Sequence, residues 1–167
     1  MTHPLEEILM KVKGLVLDPD SKMPIVVLQD QNGENLLPIW IGVFEANAIA
    51  MSLESVDTPR PMTHDLLFSL ISELGGEVSR IVITDLRDST FYALIYVEQE
   101  DRSSLEIDAR PSDALALALR AEVPFYVTQQ VLDKASVDDR LSKLTEEERL
   151  KKWLEEVKPE DLGKYTM

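Results

Sequence analysis

Three short stretches of this chain gather side chains able to move protons, hold cations or grip anions. Residues 37–49, LPIWIGVFEANAI, place Glu45 and Asn47 where a strand hands over to a helix. Residues 60–67, RPMTHDLL, carry Arg60, His64 and Asp65. Residues 108–120, DARPSDALALALR, carry Asp108, Arg110 and Asp113. Glu45, Asp65, Asp108 and Asp113 are hard oxygen donors suited to a divalent cation. His64 is one of two histidines, the side-chain type most often used for proton transfer. Arg60 and Arg110 offer planar guanidinium groups that can clamp a phosphate through two parallel hydrogen bonds.

Each placement also has an ordinary structural cause. A carboxylate in the first turn of a helix is favoured by the helix dipole alone, which accounts equally for Glu45, Asp65 and Asp113. His64 can be a surface histidine. Arg60 and Arg110 each precede a proline in a loop and can pair with Asp57 or Asp108.

The elements that must position these groups show an internal correspondence. At a constant shift of 66, residues 12–53 lie on 78–119 without a gap, pairing Leu15 with Ile81, Ile39 with Leu105 and Ala48 with Ala114. At that shift Asn47 lies on Asp113 and Glu45 on Pro111. Each copy reads as three strands and a helix, because short β-branched or aromatic runs alternate with turn residues such as Asp18-Pro19-Asp20 and Asn32-Gly33. The expected fold is therefore α+β, an internal duplication of a three-strand-plus-helix unit. A further helix is predicted over 63–74, with Thr63 as N-cap and a buried stripe of Leu66, Leu67, Leu70, Ile71 and Leu74. Pro111 suits the first turn of the second-copy helix, residues 124–127 read as an edge strand, and 128–135 as a short helix. The domain is expected to span 1–137. Residues 138–167 form an amphipathic helical appendage, marked by a Thr145/Glu148 capping box and by Leu150, Trp153, Leu154 and Val157.

Composition narrows the chemistry. No cysteine is present, so disulfides, thiolate metal sites and a cysteine nucleophile are excluded. The net charge is −14, of which residues 1–137 supply −12 from 10 Lys+Arg against 22 Asp+Glu. Such a balance argues against non-specific nucleic-acid binding through a broad basic face. No apolar run suggests a signal peptide or membrane span, and a cytoplasmic location is expected. There is no GxSxG elbow, P-loop, GxGxxG or HExxH.

The polar stretches carry a resemblance. LPIWIG with Glu45-Ala46 and Ala48-Ile49, Arg60-Pro61 with Thr63-His64-Asp65-Leu66-Leu67, and Asp108 with Arg110-Pro111-Ser112-Asp113-Ala114 and Ala116-Leu117-Ala118 resemble the bifunctional nuclease domain family over about residues 10–137. The resemblance implies hydrolysis of the phosphodiester bonds of DNA and RNA, with a divalent metal such as Mg²⁺. In that chemistry Glu45, His64 and Arg110 are the candidate catalytic groups and Arg60 and Arg110 the substrate-binding ones. Asp65, Asp108 and Asp113 are the candidate metal ligands. Nucleic acid is then the partner, a homo-oligomer is expected, and no membrane is involved. The competing reading is a non-catalytic binding or regulatory module that forms a homo-oligomer, which the acidic charge favours.

Overall fold

The computed structural model describes residues 5–137. Three antiparallel strands open it, β1 (Glu7–Leu17), β2 (Pro24–Asp30) and β3 (Leu36–Trp40). The turn from β2 to β3 is closed by Asp30, whose carboxylate accepts the backbone N–H groups of Glu34 and Asn35 at 2.9 and 3.2 Å. Gly33 sits there at φ +73°, a left-handed conformation that favours glycine. Helix α1 (Val43–Leu53) follows β3 directly, and α2 (Thr63–Glu73) comes next. A second antiparallel run, β4 (Glu77–Arg87), β5 (Thr90–Glu98) and β6 (Ser104–Ala109), leads into α3 (Pro111–Ala121), β7 (Phe125–Thr128) and α4 (Gln129–Ser136).

The α+β expectation holds: the described residues form one seven-stranded sheet, ordered β3-β2-β1-β7-β4-β5-β6, with four helices. Ile81 and Ile83 of β4 and Ala93 and Ile95 of β5 join Ala46 and Ile49 of α1, Leu115 and Leu117 of α3 and Val131 of α4 in one buried cluster. Helix α3 packs against both α1 and α2 and lies on β4 and β5. Its alanines at 114, 116 and 118 are fully buried, and their small side chains let neighbouring backbones approach closely.

The two segments share a topology, but one offset of 66 does not relate them. The bulges in their first strands, between Val12 and Gly14 and between Val78 and Arg80, do lie 66 apart. The second strands do not follow: Val12 pairs with Leu28 and Val78 with Val97, an offset of 69. Leu28 then faces Leu37 and Val97 faces Leu105, and the helices begin at Val43 and Pro111, both offsets of 68. Strand length is the physical reason: β4 runs on to Arg87 with a second bulge between Ile83 and Asp85, so Val78 and Val97 lie 19 positions apart where Val12 and Leu28 lie 16 apart, even though only Asp88 and Ser89 join β4 to β5 against six residues (18–23) between β1 and β2. The slip of three in the second strand is hidden because β2 is buried on both faces and shows no alternation, and a slip of two, as in the third strand, leaves an alternating pattern unchanged. It also maps an Ala-x-Ala-x-Ala run onto itself, so the apolar residues read alike at both shifts. The consequence falls on the polar ones: Glu45 is the counterpart of Asp113, not of Pro111, and Asn47 that of Leu115.

Three expectations need correction. Residues 125–128 do not form an edge strand; β7 occupies the centre, antiparallel to β1 and parallel to β4, because it fills the gap between the two first strands. The α2 stripe is only half used. Leu67 and Ile71 pack on the core, but Leu66, Leu70 and Leu74 are 52%, 50% and 84% exposed, since α2 lies at the rim and packs mainly against α3 and β4. The N-cap of α2 is Met62, not Thr63, and its N–H is taken by the Asp65 carboxylate at 2.9 Å. The Thr145/Glu148 helix and the boundary at 137/138 lie outside the described residues.

A charged junction between two helix starts

Glu45 and Asp113 each occupy the third position of a helix that follows an edge strand, α1 after β3 and α3 after β6. In a flat seven-stranded sheet those edges would be roughly 29 Å apart, six spacings of about 4.8 Å. Sheet twist and the inward crossing of both helices bring them together. Arg110, the N-cap of α3, donates from Nε to Asp113 Oδ2 at 2.9 Å and from Nη2 to Glu45 Oε1 at 2.7 Å. The ion pairs thus join the starts of the two helices that follow the edge strands.

His64, in the first turn of α2, reaches the other oxygen of the same carboxylate, with Nε2 2.9 Å from Asp113 Oδ1. It is the one buried residue of α2. Burial raises the Asp113 carboxyl, but hydrogen bonds and charge from Arg110 and His64 outweigh it and hold the group below the usual carboxylate range. The same two carboxylates push the Arg110 guanidinium above its ordinary value. Glu45 folds back over Gly42, the N-cap of α1, so closely that a Cβ at position 42 would collide with its carboxylate.

Asp65 belongs to a neighbouring set. Its Oδ1 accepts Arg120 Nε at 2.6 Å, and Arg120 also donates to the carbonyls of Ala116 and Ala48 at 2.9 and 3.2 Å. A side chain only 10% exposed thereby fastens α1, α2 and α3 to one another through its guanidinium. Burial raises the Asp65 carboxyl as well, yet the Met62 N–H and Arg120 carry it below the ordinary value.

Four residues predicted from the sequence, Glu45, His64, Arg110 and Asp113, therefore meet at one place, with Asp65 one residue away. Arg60 and Asp108 do not join them. Arg60 is exposed in the loop before α2 and makes no ion pair among the described residues. Asp108 is exposed on β6 and pairs in register with Leu94, whose neighbours Ala93 and Ile95 enter the helix-covered core. Alternation along the strand turns Asp108 to the opposite face. Among the described residues no three His, Asp or Glu side chains are grouped to hold a metal ion. Asp65 and Asp113 are already engaged by guanidinium groups, so this donor set does not fit a resident cation.

Beside the junction lies a cleft of about 370 Å³ bounded by Met23, Ile39, Trp40, Phe91, Arg110 and Pro111. Sequence reasoning gave Trp40, Phe91 and Arg120 no part in the site. The signal for Arg120 was a single cation ending the Ala/Leu run of α3; Trp40 stood inside the LPIWIG stretch without being read as chemistry.

Fold and site together define a mixed α/β domain in which two strand-to-helix junctions meet in one Glu–Arg–Asp–His network. The chain belongs to the bifunctional nuclease domain family, whose sequence profile matches residues 26–140. It is 38% identical over 160 residues to an uncharacterized protein of Mycobacterium tuberculosis, covering 90% of this chain and 95% of that one. It is similar to bifunctional nuclease 1 of Oryza sativa subsp. japonica, 24% identical over 64% of this chain and 33% of that protein. Bifunctional nuclease 2 of Arabidopsis thaliana is 27% identical over 62% of this chain and 32% of its own length. The plant relatives are thus matched over about a third of their length. No described helix is long and apolar enough to cross a membrane.

Proposed function

We propose that the chain is a nuclease hydrolysing phosphodiester bonds of DNA and RNA, with the Glu45–Arg110–Asp113–His64 junction as its active site. The observation that carries this reading is the meeting of His64, Arg110 and Glu45, from three separate segments, through the carboxylate of Asp113 and the guanidinium of Arg110. A guanidinium has five N–H donors, of which Asp113 and Glu45 take two among the described residues. The remaining donors, on a side chain 65% exposed, are available to a phosphate oxygen.

A phosphate on Arg110 competes with Glu45 for the same cation and frees the Glu45 carboxylate to take a proton from the attacking water. Asp113 is the positioning residue, since its Oδ1 holds the imidazole of His64 in one orientation. Protonated His64 supplies the proton for the departing oxygen. Neither step reads the sugar, which accounts for acceptance of both nucleic acids. Arg60, exposed before α2, is proposed as a peripheral phosphate contact. Dependence on divalent metal enters only as a cation carried in by the substrate, because Mg²⁺ commonly takes one or two carboxylates plus substrate oxygens. The proposed location is the cytoplasm.

The second reading, a non-catalytic module assembling with copies of itself, draws on the exposed ridge of Leu66, Leu70 and Leu74. One experiment separates the two. Wild type, Glu45→Gln and His64→Ala, purified in parallel, are assayed on labelled single-stranded DNA and RNA with and without a chelator. Turnover should fall on the order of a hundredfold or more in each variant, assayed at a temperature where circular dichroism shows all three to be folded. Equal degradation by all three would assign the activity to a contaminant and leave the binding module.

A further inference from the structure

The cleft beside the junction has a composition that the charged network does not explain. Two aromatic side chains from opposite halves line it: Trp40 at the end of β3 and Phe91 near the start of β5. The indole N–H of Trp40 donates to Asp18 Oδ2 at 3.0 Å, which fixes the ring in place, and both rings are half-buried. The two-residue turn presenting Phe91 holds Asp88 and Ser89 at φ +49° and +60°, a left-handed backbone that costs energy in residues other than glycine. Arg110 stands at the rim, shared between the cleft and the Glu45–Asp113 network.

A chain of net charge −14 gains little affinity from phosphate neutralisation, because long-range repulsion opposes the approach of a polyanion. An uncharged contact must supply the difference. Aromatic stacking does so for any base, at roughly 5- to 150-fold in affinity per base. Only an unpaired base can offer its face, since in a duplex both faces are covered by neighbours. The cleft volume, at the small end of the usual range of about 300–1,000 Å³, suits a single base rather than a pair.

We propose that this cleft binds one unpaired nucleobase stacked on Trp40 and Phe91, with its phosphate on Arg110, which makes single-stranded nucleic acid the substrate class of the adjacent junction. The phosphate half of the proposal rests on the nuclease reading; the stacking half does not. The test is binding of a phosphorothioate oligothymidylate, which resists cleavage, followed by fluorescence anisotropy. The single strand should bind at least fivefold more tightly than the same strand in a duplex. Trp40→Leu should lose at least fivefold, and Trp40→Phe, which keeps an aromatic face but not the bond to Asp18, should stay near wild type. Phe91→Leu provides a second probe if Trp40→Leu melts early. Trp40→Leu and Phe91→Leu binding as wild type does, or equal affinity for duplex and single strand, would overturn the proposal. Thymidine 5′-monophosphate, which carries the one base and phosphate that the cleft takes, should compete with the oligonucleotide, and failure to compete would overturn the single-base assignment. Cleavage is not read here, so failure of the nuclease reading shows separately, as equal degradation by wild type and Glu45→Gln.

Discussion

Gly42 illustrates how a residue without a side chain can set the chemistry of its neighbour. The Glu45 carboxylate occupies the space a Cβ would need, and from there it meets Arg110 at 2.7 Å. Gly42→Ala is expected to push Glu45 outward and loosen the junction, lowering turnover about tenfold or more while the core, and hence the melting temperature, changes little. Steady-state kinetics beside a thermal melt checks this. Asp113 supports a prediction in pH. Its folded-state pKa lies below the unfolded value, so its stabilisation is complete above the unfolded pKa of about 3.9 and is lost as pH falls through the folded one. Asp113→Asn should therefore cost about 1–3 kcal/mol at neutral pH. Urea melts should show this difference from wild type shrinking below about pH 4.

At the scale of elements, the short strand β7 carries more than its four residues suggest. It bonds to β1 on one side and β4 on the other, so both three-stranded runs depend on it to form one sheet. Val127 is fully buried there, opposite Ile8 and Ile83. Val127→Pro removes a ladder donor from a central strand and should cost about 3 kcal/mol or more. An edge strand would tolerate the change. Denaturant unfolding of this variant beside Leu105→Pro, on the edge strand β6, separates the two positions. Arg120 has a comparable role among the helices, because one guanidinium satisfies acceptors on α1, α2 and α3 at once.

At the scale of the whole molecule, net charge sets the sign of the salt response. A nuclease with a basic face loses substrate affinity as salt rises. With −14, added monovalent salt screens a repulsion instead, over a Debye length of about 10 Å at 0.1 M. KM for a single-stranded substrate should therefore fall, or stay flat, between low and moderate salt before contacts at Arg110 begin to weaken. Measurement of KM from about 20 to 200 mM salt decides the sign, and a steep rise throughout would point to a basic surface that the composition does not show.

Much of this architecture was legible in the residues themselves. Strand periodicity, the Asn32-Gly33 turn and Pro111 at a helix start are local signals, set by backbone sterics and by alternation between buried and exposed faces. The polar stretches around Glu45, His64 and Asp113 were also visible, because charge is rare beside apolar runs. Tertiary structure alone decided which of those groups meet. Alternating patterns are blind to a slip of two residues, so the sequence could not distinguish a partnership of Glu45 with Asp113 from one with Pro111. Nor could it show that Asp108 turns to the far face while Arg110, two residues on, turns toward the junction. The position of β7, the half-exposed face of α2 and the reach of Arg120 depend on which surfaces remain uncovered once the sheet has closed. That is a property of the packed chain and leaves no local periodicity to read.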